Sequence, residues 1–134
     1  IALVEGAFSM QGEYMLASVD LMDGDSVDFT GYYVFVSYFL TGESRPYRKG
    51  SFDRVSPAQN FTPGGGSGAW EVALRYSSMD LNDGPVSGGK EDNLTLALNW
   101  YLNPNTRLML NYVNADVTDV GTVDAFMMRF HVDF

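Results

Sequence analysis

The sequence contains no cysteine, which excludes disulfide frameworks, thiolate metal sites and cysteine nucleophiles together. It also lacks any run of the roughly 20 apolar residues that a membrane-spanning helix needs. The greasiest stretch, YYVFVSYFL over 32–40, is short and broken by Ser37, so a helical membrane protein is excluded. Sustained helical periodicity is missing as well. Basic residues are few, 8 Lys and Arg against 17 Asp and Glu, so a nucleic-acid partner held through its phosphates is not expected. Much of the acid sits in DLMDGDSVD (20–28) and NADVTD (114–119), where net charge favours solubility and says little about fold. The opening residues IALVEGAF show neither an initiating Met nor a basic region ahead of an apolar core. The expectation is a chain whose export signal has been removed, or a piece of something longer.

What the sequence does have is alternation. Phe8, Met10, Gly12, Tyr14 and Leu16 alternate with Ser9, Gln11 and Glu13, and Trp70, Val72, Leu74 and Tyr76 with Glu71, Ala73, Arg75 and Ser77. Leu94, Leu96, Leu98, Trp100 and Leu102 alternate with Asn93, Thr95, Ala97 and Asn99, and Leu108, Leu110 and Tyr112 with Arg107, Met109 and Asn111. At the C-terminus Phe126, Met128, Phe130, Val132 and Phe134 alternate with Arg129, His131 and Asp133. Side chains two apart share one face of a strand, so each segment predicts a strand with one apolar side. With the segment 29–40, apolar on both faces, this gives about six strands and a stub at 1–5. No Pro- or Ser-rich linker divides them, so residues 1–134 are expected to form one domain.

The predicted strands are about ten residues or longer, against the usual five or six of soluble sheets, and match a tilted bilayer crossing of roughly 9–11 residues. The turns at Glu5-Gly6-Ala7 and Asn103-Pro104-Asn105-Thr106 are tight, while 21–28, 82–92 and 118–123 read as longer polar loops. Short turns on one side and longer loops on the other are how outer-membrane barrels are strung. Large aromatics cluster on the short-turn side: Phe8, Phe39, Trp70, Trp100 and Phe134 predict an aromatic girdle there. Tyr32, Tyr76, Tyr112 and Phe126 are candidates for the opposite girdle. The exception to the pattern is TGESRPYRKGSFDRVSPAQNFTPGGGSG (41–68), a long irregular connection that strand counting places on the short-turn, periplasmic side. Its GGGSG lacks the Lys and following helix of a phosphate loop.

A spanning sheet must close on itself, because hydrocarbon satisfies no open strand edge. Six strands and a stub do not reach the even count, 8 or more, of bacterial single-chain barrels. The fold class predicted is therefore all-β, an antiparallel transmembrane β-barrel of which this chain is the incomplete C-terminal part. The soluble alternative, a β-sandwich or lipocalin-like barrel, would turn the apolar face inward and expose the other. That other face, with Ser9, Gln11, Ala73, Ser77, Thr95, Ala97 and Asn99, carries few of the charges a soluble surface shows.

At FVSYFLTGESRPYRKGSFDRVSP, AWEVALRYSSMDLND and EDNLTLALNWYLNPNTRLMLNYV the chain resembles the phosphate-selective porin O and P family, from about residue 8 to Phe134. The resemblance rests on the combination of TGESRPY, WE-x-A-x-RYS, NWYLNPN and a terminal aromatic strand. It implies a sixteen-stranded outer-membrane barrel of a Gram-negative bacterium, usually trimeric, that passes small anions such as phosphate or pyrophosphate by diffusion without cofactor. This chain would supply roughly the last seven strands. The C-terminal Phe126, Met128, Phe130, Val132 and Phe134 resemble the signal read by the barrel assembly machinery. A rival reading is a non-conducting outer-membrane barrel that anchors or docks a partner through 41–68.

In a porin the lumen face does the work, and by parity it holds Ser9, Gln11, Glu13, Glu71, Arg75, Asn93, Asn99, Arg107, Asn111, Arg129, His131 and Asp133. Of these Glu13, Glu71, Arg75, Asn99, Arg107, Arg129 and His131 are the pore-lining candidates. Arg75 and Arg129 are the expected anion contacts, since a guanidinium is always charged and forks to match phosphate oxygens. The competing expectation is that these arginines pair with Glu13, Glu71 or Asp133 and stiffen the wall. The narrow anion site that the family implies draws on basic residues of earlier strands and an infolded loop. Catalysis has little support: His131, the single histidine, lies near Asp133, but neither Ser9 nor Ser77 sits in a nucleophile-elbow pattern. Asp20, Asp23, Asp25 and Asp28 offer hard oxygens for calcium without the EF-hand spacing, and read as a solvated loop. Asn60-Phe61-Thr62 and Asn93-Leu94-Thr95 match a glycosylation acceptor that means little in a bacterial outer membrane. Because Tyr32–Val36 is apolar on both sides, cover from an infolded loop or a neighbouring subunit is expected over Phe35.

Overall fold

The computed structural model describes residues 1–134. Seven strands form one antiparallel sheet and two short ones a separate hairpin: β1 (Ala2–Glu5), β2 (Phe8–Asp20), β3 (Ser26–Phe39), β4 (Tyr47–Arg48), β5 (Ser51–Phe52), β6 (Ala69–Asp83), β7 (Val86–Asn103), β8 (Thr106–Val117) and β9 (Gly121–Val132). The sheet order is β1-β2-β3-β6-β7-β8-β9, a meander with β1 and β9 as free edges. The six long strands and the N-terminal stub are those the alternation predicts. β4 and β5 pair across Lys49-Gly50 inside the 41–68 connection, which is thus not wholly irregular.

Registers preserve parity from β2 to β9. Ser9 faces Ser37, Phe35 faces Arg75, Glu71 faces Asn99, Tyr101 faces Arg107, and Arg107 faces His131. Odd-numbered residues therefore share one face across all six long strands, and even-numbered residues share the other. The two-residue turns Gly84-Pro85 and Pro104-Asn105 pair residues of opposite parity, Asp83 with Val86 and Asn103 with Thr106. In both hairpins an irregularity follows at once, between Asp80 and Asn82 and between Tyr101 and Asn103, and the extra residue restores odd opposite odd. The Gly6-Ala7 turn has no such correction, so in β1 it is Ala2 and Val4 that join the odd face. Gly6 sits at φ 55°, the left-handed turn conformation glycine adopts without a Cβ clash.

All three longer-loop expectations are corrected. The segment 82–92 is not a long loop: β6 and β7 run on as a two-stranded ribbon to the tight turn at Gly84-Pro85. Its Asn, Asp, Gly and Pro content mimics a loop, but backbone pairing needs no apolar side chain, and Asp83 Oδ2 ties the ribbon to β3 by accepting from Asp28 N at 2.7 Å. The remaining connections on that end are short as well, 21–25 and 118–120.

Only 13 of the 134 residues are buried, so the apolar side chains do not gather into an interior. No second layer packs on the even face, where Leu96 is 50% and Phe126 85% exposed. The one buried apolar cluster, Phe39, Val55, Ala69 and Tyr101, lies on the odd face, where the 41–68 segment folds back over the sheet.

Candidate functional site

The two faces differ along their length. On the even face, apolar side chains fill a band closed at the short-turn end by Phe8, Tyr38, Trp70 and Trp100 and at the other by Tyr14, Tyr32, Tyr76, Tyr112 and Phe126. Phe8 to Tyr14, Tyr38 to Tyr32 and Trp70 to Tyr76 each span six residues, about 20 Å along a strand. Trp70 and Trp100 stack at 5.0 Å, Tyr32 meets Tyr76 at 6.1 Å, and Tyr112 meets Phe126 at 4.9 Å. Beyond the tyrosine row the same face turns polar, with Ser78, Asp80, Asp92, Asn114 and Asp124.

Phe39 is a correction to the predicted girdle. It lies on the odd face opposite Glu71, is buried, and packs on Tyr101 with ring centroids 5.8 Å apart. An odd position cannot reach the face that Trp70 and Trp100 occupy, and Tyr38 fills the place instead. Phe134 is even-numbered but lies past the end of β9, fully exposed.

The odd face carries the predicted polar wall. Gln11 donates through Nε2 to Glu13 Oε1 at 3.0 Å and to the Tyr33 hydroxyl at 2.6 Å. Arg75 lies over the Tyr33 ring at 4.9 Å and donates to Ser77 Oγ at 2.9 Å. Neither Arg75 nor Arg129 forms an ion pair, so both remain exposed cations on this face. Arg107 Nη2 stands 3.1 Å from His131 Nδ1, and because a guanidinium only donates, His131 accepts there and carries its proton on Nε2. That nitrogen donates to Asp133 Oδ1 at 2.7 Å, while Ser9 bonds Ser37. Both nitrogens of His131 are thereby engaged, and no serine joins them.

Glu71 and Asn99 lie on the odd face as predicted, but they line no open surface. Glu71 is 0% exposed: Oε1 pairs with Arg45, and Oε2 accepts from Asn99 Nδ2 and the Tyr101 hydroxyl, each at 2.9 Å. Arg45 comes from the 41–68 segment, and its guanidinium carbon lies 5.9, 5.6 and 5.2 Å from the ring centres of Phe35, Phe39 and Phe52. Burial works against the charge on Arg45, yet the Glu71 carboxylate outweighs it and holds the guanidinium above its ordinary pKa. Removing one partner of a buried ion pair costs about 3–5 kcal/mol because the other charge is stranded, so this contact fixes where the segment lies. The cover expected over Phe35 is thus supplied by the segment itself, through Arg45.

The connection grips the sheet end a second time. Phe61 N donates to Leu102 O at 2.7 Å, its ring meets Trp100 edge-on at 4.9 Å, and Trp100 Nε1 donates to Ser67 O at 2.8 Å. Between the first half of the segment and the β7–β8 turn lies a cleft of about 290 Å³, lined by Arg45, Arg54, Arg107, Asp53 and Asp133 among others. Arg54 ties the segment to that turn by donating to Asn105 Oδ1 at 2.7 Å. Sequence reasoning missed Arg45; the only signal was its place in TGESRPY, which no periodicity marks.

Charge is segregated between the two ends. Asp20, Asp23, Asp25 and Asp28 surround the 21–25 connection, Asp80, Asp83, Glu91 and Asp92 the 84–85 turn, and Asp116, Asp119 and Asp124 the 118–120 turn. Lys90 is the one base there; the remaining 6 acids are matched by 7 bases toward the short-turn end. One rim therefore carries a net -10 against +1 for the rest of the chain, and the polar wall with Arg75, Arg107 and Arg129 does not share it. Two of the four aspartates of 20–28 are turned to the chain itself: Asp23 Oδ1 accepts from Asp25 N at 3.3 Å and Asp28 Oδ1 from Ser18 Oγ at 2.5 Å.

The sequence profile described as phosphate-selective porin O and P matches residues 1–134. An uncharacterized protein of Caulobacter vibrioides is 40% identical over 111 residues, covering 83% of this chain and 22% of that protein. Porin O of Pseudomonas aeruginosa is 33% identical over 123 residues, covering 82% of this chain and 27% of that protein. The chain spans about a quarter of the length of these relatives. With the profile matched from end to end and the two-faced antiparallel sheet in place, the chain belongs to the phosphate-selective porin O and P family.

Proposed function

We propose that this chain is the C-terminal wall of an outer-membrane diffusion porin, about seven strands of a closed barrel of sixteen, assembled as a homotrimer. The even face meets hydrocarbon, and the odd face lines a water-filled path for small anions such as phosphate or pyrophosphate. The observation that carries this reading is parity: across β2 to β9 one face keeps an unbroken apolar band between two aromatic rows, and the other keeps the polar side chains. That division is what a barrel wall between lipid and water requires. Porin O, one of the relatives, supports the assignment of the activity.

Anion preference draws on Arg75, Arg107 and Arg129, which keep their charge on the odd face, while Glu71 is cancelled by Arg45. Charged rings in a pore select ions by setting the local field and replacing part of their hydration. The 41–55 part of the connection, on the periplasmic side, narrows the path by lying on the odd face. Phe126, Met128, Phe130, Val132 and Phe134 present the barrel assembly machinery with its recognition strand. Planar-bilayer recording of the complete protein tests the reading. Ohmic steps with an anion-favouring reversal potential are expected, and silence from correctly folded protein would instead favour a barrel that anchors a partner.

A further inference from the structure

We propose that Arg45 is a specificity-determining residue of the pore: it removes the Glu71 charge from the wall and seats the 41–55 part of the connection over it. The inference rests on the porin reading above. Glu71, Asn99, Met109 and Arg129 are successive register partners, one row across four strands of the odd face. Left uncovered, that row would present a carboxylate and a guanidinium of opposite sign, and a permeating anion would gain little from it. Arg45 changes the sum. It buries Glu71 completely and leaves Arg129 as the one uncompensated charge of the row. The adjacent row carries Arg107, whose partner is the Nδ1 lone pair of His131, and two rows away on the other side Arg75 has no acid partner.

The seat is built for a guanidinium. Phe35, Phe39 and Phe52 surround the planar group, and Asn99 and Tyr101 occupy the other carboxylate oxygen of Glu71. An ammonium offers no flat face for three rings to accept. Selectivity and channel width are thus set by one contact, and they separate under mutation.

The test is single-channel recording of the complete porin across a salt gradient, with wild type, Arg45→Ala, Glu71→Gln and the double variant. Arg45→Ala frees the segment and exposes Glu71, so conductance should rise while the anion-to-cation permeability ratio falls at least about threefold, the leverage of one unit charge a few ångströms from an ion in a high dielectric. Adding Glu71→Gln should restore the ratio but not the narrower conductance. Glu71→Gln alone keeps a neutral isostere in the seat and leaves Arg45 uncancelled, so the ratio should rise above wild type; this variant decides the matter if Arg45→Ala does not fold. A conducting wild type whose variants keep its permeability ratio overturns the role of Arg45 and spares the porin reading. A silent, folded wild type overturns both.

Discussion

Trp70 and Trp100 are register partners across β6 and β7, and their rings stack on the even face with centroids 5.0 Å apart and 14° between planes. Trp100 also holds Phe61 edge-on and donates to Ser67 O, so a single indole joins the sheet rim to the 41–68 connection. Trp100→Ala should cost about 3 kcal/mol, the lower end for removing a packed Trp. Equilibrium urea unfolding of the complete protein in detergent measures it; Trp70→Ala, which breaks the stack but leaves Phe61 and Ser67 untouched on Trp100, should cost less.

The two faces of β7 should answer a charge in opposite ways. Leu96, on the even face and half exposed, meets hydrocarbon if the porin reading holds, and Leu96→Arg should cost about 2–4 kcal/mol of folding free energy in a bilayer. Thr95→Glu, one residue away on the odd face and opposite Arg75, should be nearly neutral. Reversible folding into lipid vesicles compares the two, and equal costs would contradict the assignment of faces.

Gly68 lies at φ 69°, and a Cβ there would stand 2.4 Å from the Tyr101 carbonyl oxygen. Both the left-handed backbone and the close approach of the connection to β7 demand glycine. Gly68→Ala should therefore loosen the 60–68 stretch at a cost above about 1 kcal/mol. The expected sign is a lower temperature for loss of the heat-modifiable folded band on gels, with the Gly64 position, also at positive φ but open around its Cβ, as the milder comparison.

Phe134 stands beyond the last paired residue, Val132, and touches no register partner. Its removal should leave the stability of refolded protein within about 0.5 kcal/mol, as for surface changes away from packed features. In cells the same deletion should lower the yield of folded protein in the outer membrane, as the proposed reading of this strand by the assembly machinery requires. Quantitative blotting of outer-membrane fractions checks this, and an undiminished yield would show that Phe134 takes no part in assembly.

Period-two alternation is a local property of the chain, so the strands, their two faces and the row Trp70, Trp100 were legible in the sequence from single segments. The parity of one strand relative to the next also held, since each two-residue turn between long strands is followed by a compensating irregularity. What only the tertiary structure decided lies where the chain has no period. Arg45 reaches Glu71 from 26 residues away along an irregular path, and that contact turns two predicted pore-lining residues, Glu71 and Asn99, into buried ones. The ribbon at 81–88 escaped notice for the converse reason: its hydrogen bonds are made by backbone, which every residue but proline supplies alike, so its side chains left no trace of it.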